Sequence, residues 1–429
     1  MKRTIILIST VAILLIAASC IKRNSNSSLD DHRNYFSARF DNYFSPGETG
    51  LMIFLSDMSG NLLAEASLEG QNSVYLYPAP GTLFPELLVE TLVYKGPVAG
   101  GKSIVYLYTY LMILPADWVW TTFESDSTGS ANLHFSNIPP QTAYGISSNF
   151  QWIHGDVIPS SVTISLGKSP DNVYILLNTA TNGYRYKWLT GVGNMNSYPV
   201  DLSSTEMTLS KTIPIPLNSS LSYRLSGYLP SGEHAKGLYT LDYGDQTGTY
   251  ADSITLHFPE TVFADFEFYL NTTDPSDSHK LWYQYDFGTI PNRIDHINGN
   301  IAVLDSTPSH YRVQVSGAFD RLGSSWEYNP IGPNRYQWTV YGSPSATSFK
   351  FPALPADLAI EFPGFSADSL KLSSVEIKDF SGISSYDDLI KKMFVSGKYI
   401  ANLVPKYSGL IYYMSPSKTG KKPAGEKAF

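Results

Sequence analysis

Residues 86–114 read ELLVETLVYK, GPVAGGKS and IVYLYTYLMIL. Glu86–Lys95 and Ser103–Leu114 are strand-length runs rich in Val, Leu, Ile and Tyr, and the Gly/Pro segment between them is hairpin punctuation. In the second run Tyr106, Tyr108 and Tyr110 fall on one face and Leu107, Thr109 and Leu111 on the other. The same pattern recurs on both sides. Short apolar or alternating runs such as LMIFLSD, DWVWTTF, SVTISLG, DFEFYLN, YRVQVSGAF and NRYQWTVYG are separated by Gly, Pro, Asn or Asp roughly every ten residues.

Composition supports that reading. The chain has 30 tyrosines, 27 prolines and 32 glycines, aromatics at 14% and charged residues at 16%, the last well below the ~25% of an average protein. The expected fold class is all-β: tandem β-sandwiches with one short C-terminal helix. A chain of 429 residues has room for about two or three domains, and the spacing divides it into sandwiches over 32–154, 155–294 and 295–414. The helix is expected near 385–395, where Ser385 precedes Asp388 as a capping pair and Leu389, Ile390, Met393 and Phe394 share a face. In the third block LAIEFPGF and SFKFPALP read as strands. Arg335-Tyr336-Gln337-Trp338 repeats Arg185-Tyr186-Lys187-Trp188, an internal repeat or a coincidence in so tyrosine-rich a chain.

The N-terminus carries an address. Lys2 and Arg3 form a basic head, Thr4–Ile16 is apolar, and Ala17-Ala18-Ser19 leads to Cys20, the sole cysteine. The apolar run is shorter than the about 20 residues of a membrane span. An ordinary cleaved signal followed by a buried thiol is the alternative. The arrangement resembles a bacterial lipoprotein signal. That resemblance implies removal of residues 1–19, acylation of Cys20 and a mature chain held on a membrane by lipid, with 20–31 as a flexible tether. Cys20 would then be consumed as the anchor, leaving no thiol for a disulfide or redox role. The lysine-bearing end, 415–429, is expected to be a solvated, disordered tail.

Downstream, a strand, the turn Met58-Ser59-Gly60-Asn61 and a second strand resemble the opening hairpin of small immunoglobulin-like or transthyretin-like modules of bacterial surface proteins. Together these features resemble the multidomain surface lipoproteins of gut-type, Bacteroidota-like bacteria. The resemblance implies an outer-membrane location, with the face of the membrane left open.

Catalytic motifs fail on context. Gly96–Ser103 matches the phosphate-binding pattern G-x₄-G-K-[ST], but that chemistry needs a helix starting at Lys102, and Ile104–Tyr110 is β-branched and aromatic. Nucleotide binding is therefore not expected. Asp286-Phe287-Gly288, Ser165-Leu166-Gly167-Lys168 and Lys418-Thr419-Gly420 match fragments of kinase and penicillin-binding signatures without their partners. The net charge of −8 and the lack of a basic stripe argue against nucleic acid. The eight histidines show no metal-ligand spacing. Asp242-Tyr243-Gly244-Asp245 and Asp274-Pro275-Ser276-Asp277 are candidates for a structural calcium, but ordinary Asx turns account for both, so no cofactor is assigned. An enzyme would need two carboxylates meeting in a cleft, and no local signature marks such a pair.

Aromatic surface remains. Sugar rings stack their C–H faces on Trp and Tyr. Tyr184, Tyr186 and Trp188, and likewise Tyr336 and Trp338, lie opposite charged or polar neighbours and are expected in the core. Tyr106, Tyr108 and Tyr110 are the candidates for exposure, and Trp118 and Trp120 either join them or cap the core. The expected function is non-enzymatic: a lipid-anchored envelope protein capturing a glycan or other ligand through these aromatics. The alternative is a structural or adhesive subunit that recruits an envelope protein partner through its strand edges.

Overall fold

The Gly/Pro hairpin at 96–103 folds as its residues require. A computed structural model describes residues 34–45, 47–121, 127, 129–167, 170–230, 238–247, 252–294, 296–395 and 404–415. Cys20, the expected signal at 1–19, the expected tether at 20–31 and residues 416–429 lie outside the described residues. Ala99 pairs with Lys102 across Gly100 and Gly101, whose φ values of +60° and +81° make the two-residue turn with both centres left-handed, the geometry that matches strand twist. Lys102 donates to Asn329 Oδ1 (2.7 Å) and to the Pro330 carbonyl (2.6 Å). The phosphate-loop match is thus a hairpin tip.

The fold is all-β. Strands β1 (Phe36–Asp41), β2 (Thr49–Ser56), β3 (Leu62–Ser67), β4 (Ser73–Leu76), β5 (Leu88–Ala99), β6 (Lys102–Ile113) and β7 (Asp117–Thr121) form the first unit. The second holds β8 (Gly129–Ser136), β9 (Gln141–Ser147), β10 (Trp152–Gly155), β11 (Ser161–Leu166), β12 (Asp171–Thr179), β13 (Gly183–Val192), β14 (Met195–Asp201) and β15 (Glu206–Met207). The third holds β16 (Leu209–Pro214), β17 (Ser220–Tyr228), β18 (Leu238–Thr247), β19 (Ser253–Phe258), β20 (Asp265–Thr273) and β21 (Lys280–Gly288). The last holds β22 (Gly299–Asp305), β23 (Arg312–Gly317), β24 (Arg321–Tyr328), β25 (Asn334–Gly342), helix α1 (Ala356–Glu361), β26 (Lys371–Phe380), helix α2 (Tyr386–Ile390) and β27 (Lys406–Tyr413).

Pairing redraws the expected three blocks. A boundary at 154 would cut through the five-stranded sheet β10-β9-β12-β13-β15 and separate β8 from β11 in the sheet β11-β8-β14. A twelve-stranded sheet, β18-β17-β20-β21-β27-β26-β24-β25-β6-β5-β2-β3, runs through the first, third and last units. Two long-range pairings join its parts: β25 lies parallel to β6, and β27 sits between β21 and β26. Turn spacing marks local hairpins, but not which distant edges meet. The two Arg-Tyr-x-Trp segments also differ in setting, since β13 pairs with β12 and β15 while β25 pairs with β24 and β6.

Both faces of the long sheet are covered where β6 crosses it. The small sheet β4-β1-β7 lies over the tyrosine face, and β22–β23 with the 346–370 segment contributes to the core on the leucine face. Two expectations in that last segment change. Residues 358–365 are not a strand, because Ala, Leu and Glu favour a helix after Pro355 and bring Leu358 and Phe362 onto one buried face. In SFKFPALP, Phe351 is buried without strand pairing, and its prolines cannot donate to a ladder. Helix α2 forms where expected: the Ser385 hydroxyl accepts from the Asp388 N–H (3.1 Å), and Leu389, Ile390, Met393 and Phe394 are buried as the helix passes into a π turn, Lys391–Val395.

Candidate functional site

The expected aromatic strip is interior. Tyr106, Tyr108 and Tyr110 are 9%, 1% and 0% exposed, and Trp118 and Trp120 are each 1% exposed. Tyr106 and Tyr108 stack with Tyr94 (4.9 and 5.9 Å between ring centres), Tyr110 meets Trp118 and Trp120 edge-on, and Phe394 lies flat on Trp118 at 4.1 Å. The reason is that β6 is a central strand with a layer on each side. Alternation of Tyr with Leu separates two faces of a strand but does not say that one is wet. These five residues are a core, not a surface. Tyr186, Tyr336 and Trp338 are buried as expected, while Tyr184 and Trp188 are only half-buried.

Half-exposed aromatics gather elsewhere, where the outer face of the five-stranded sheet meets β18 and β19. In β10 the alternation Trp152-Ile153-His154 puts Trp152 and His154 on the side of Gly145, Leu176, Asn178 and Tyr184. Gly145 matters here: a Cβ at that position would lie 1.9 Å from Cη2 of Trp152, so only glycine lets the indole lie across β9. The opposite wall is Asp242 and Tyr243 of β18. That strand is tied to the sheet at one end, where the Thr240 N–H donates to Ser147 Oγ and the Tyr239 hydroxyl to Asp171 Oδ1, both at 2.8 Å. Beyond those bonds the walls part.

The resulting cleft has a volume of about 170 Å³ and is lined by Tyr144, Trp152, His154, Asp156, Asn178, Tyr184, Asp242 and Tyr243, with Gly145 and Leu176 in its floor. Ring centres of Trp152 and His154 are 6.2 Å apart at 25°, and His154 and Tyr243 are 5.5 Å apart. Tyr243 is 36% exposed. Deeper in, the His257 ring stacks on Tyr184 at 3.5 Å, and its Nδ1 lies 3.1 Å from Asp242 Oδ2, which also accepts the His257 backbone N–H at 2.8 Å. Asp242 Oδ1 accepts from the Tyr243 N–H at 2.8 Å. Burial, reinforced by the Asp242 charge, raises the Tyr184 hydroxyl pKa, so it stays a neutral hydrogen-bonding group.

The sequence puts Trp152 and His154 at the close of the expected 32–154 sandwich, Tyr184 in the core and Asp242–Asp245 in a turn. The structure brings the first four of these residues together, and 242–245 lies within strand β18. The one available signal was the Trp-x-His alternation with a glycine on the preceding strand. By contrast, Asp274 and Asp277 cap their turn as expected, accepting from the Ser276 and His279 N–H groups. Among the described residues no three His, Cys, Asp or Glu side chains converge as a metal site, and no helix is long and apolar enough to cross a membrane. No family model matches the chain, and no curated protein matches it.

Proposed function

We propose that this chain is a non-catalytic, lipid-anchored envelope protein of the bacterial outer membrane, acylated at Cys20, that captures glycans in the Trp152–Tyr243 cleft. The supporting observation is the row Trp152, His154 and Tyr243, whose rings flank an open cleft that Asn178, Asp156 and Tyr184 also line. Flat apolar rings bordered by a few polar tips suit the mixed C–H and hydroxyl surface of a sugar. The test is titration of the mature chain with a panel of oligosaccharides. Binding that weakens by about tenfold or more in Trp152→Ala and in Tyr243→Ala supports the reading. Binding unaltered by both, or absent across the panel, refutes it.

A second reading, assembly with an envelope protein, is favoured by β4. It is an end strand of its sheet and carries Tyr75 at 61% exposure, followed by Tyr77 at 63%. An edge with exposed aromatics is a template for strand addition. Loss of a co-purifying envelope protein in Tyr75→Asp/Tyr77→Asp, with Trp152→Ala silent, would select this reading over the first.

A further inference from the structure

We infer that the cleft selects a terminal, non-acidic pyranose, uncharged or amino-bearing, and rejects uronic acids and sulfated sugars. This rests on the glycan-binding reading above and adds the ligand's charge and extent.

Two observations carry it. The first is size. At about 170 Å³ the cleft is smaller than the roughly 300–1,000 Å³ of sites for larger ligands, and the Ser147–Thr240 and Asp171–Tyr239 bonds close one end. A single ring at a chain end fits such a space; the middle of a polymer does not.

The second is charge. Asp156 is exposed at the rim and Asp242 lies in the wall. Asp245 sits just outside and accepts from the Tyr243 hydroxyl (3.4 Å). Among the described residues no Lys or Arg lines the cleft. The cationic candidates are His154 on the rim, His257 beneath Tyr184 and Arg224, which pairs across from Tyr243; His257 is already engaged with Asp242 and Arg224 with Glu267 (2.8 Å). A carboxylate or sulfate on the sugar would therefore meet like charges without a counter-ion, whereas an ammonium would meet partners. Recognition of acidic groups ordinarily uses Arg or Lys. Their absence from the described lining, combined with Asp156 on the β10 wall and Asp242 and Asp245 on the β18 wall, is a filter by repulsion.

The experiment titrates the mature chain with three probes of matched length: a neutral gluco-oligosaccharide, a glucosamine oligosaccharide and an oligogalacturonate. Expected is binding of the neutral or the amino probe that depends on Trp152, with the acidic probe at least about tenfold weaker at low salt. The deficit should shrink in Asp156→Asn/Asp245→Asn. Shortening the bound probe to its terminal sugar should cost little affinity. An acidic probe that binds as well as the others, yet still depends on Trp152, overturns the charge filter and leaves glycan binding standing. Affinity that climbs steadily with chain length overturns the single-ring claim. No Trp152-dependent binding of any probe defeats the underlying reading as well.

Discussion

The Cβ that Gly145 lacks would sit 1.9 Å from Cη2 of Trp152, overlapping the indole. The glycine on β9 and the tryptophan on β10 are therefore one device: the bare backbone is the seat of the ring that borders the cleft. Gly145→Ala must push that ring outward. Because Trp152 is half-buried, it has somewhere to go, so the expected stability loss is modest, about 1–2 kcal/mol. Ligand affinity should fall as far as in Trp152→Ala. Indole fluorescence and glycan titration measured on the same variant check both halves.

Arg321 donates to Glu376 Oε2 at 2.8 Å, Tyr283 donates its hydroxyl to the same carboxylate, and Lys378 lies 3.9 Å away, all within the sheet interior. The cations also rest on rings, Arg321 over Tyr341 at 4.1 Å and Lys378 over Tyr407 at 4.4 Å. Glu376→Ala would leave two buried cations without their shared anion, at an expected cost of about 3–5 kcal/mol. Urea denaturation with an unchanged m-value is the check.

Glu90 is fully buried opposite Tyr110, and neither carboxyl oxygen has a hydrogen-bond partner among the described residues. Burial drives its pKa well above the ordinary 4.5, so the folded chain keeps a proton that the unfolded chain releases. Stability should then fall as pH rises above about 4.5, by up to about 1.4 kcal/mol per pH unit until the folded group ionises. Glu90→Gln removes that slope. Denaturation midpoints of the two proteins should diverge from pH 5 to 8, the glutamine form gaining.

His296 gives the opposite sign. Its ring stacks on Trp282 at 5.1 Å and its Nε2 lies 3.0 Å from Thr272 Oγ1. Burial lowers its pKa from 6.5 to about 4. The unfolded chain takes up the proton first, so stability is lost as pH falls from about 6.5 toward 4. His296→Gln should flatten this acid limb. Equal slopes in the two proteins between pH 4 and 6.5 would refute the assignment.

How far the fold was legible depends on range. Strand periodicity, the hairpin at Gly100-Gly101 and the Ser385 cap follow from neighbours a few residues apart, and local chemistry reports them faithfully. The sheet that joins β6 to β25 and β21 to β27 depends on edges more than a hundred residues apart, and nothing in the residues near either edge names its partner. The candidate site suffered for the same reason. Tyr106, Tyr108 and Tyr110 have the alternation of a one-sided strand, but a second layer covers their face. Trp152 read as the last strand of a core, although its face opens onto a cleft.

The sequence by itself determined the class: tyrosine-rich alternation and frequent Gly and Pro leave little but β-sandwich, and the Gly-Gly pair excludes a phosphate loop because the residues after it favour a strand. Only the tertiary structure decided which aromatics are wet. Exposure belongs to the layer above a strand, and the segments that supply that layer are distant in the chain, so it appears only once β4-β1-β7 has covered the Tyr106 row and β18 has left Trp152 half-covered.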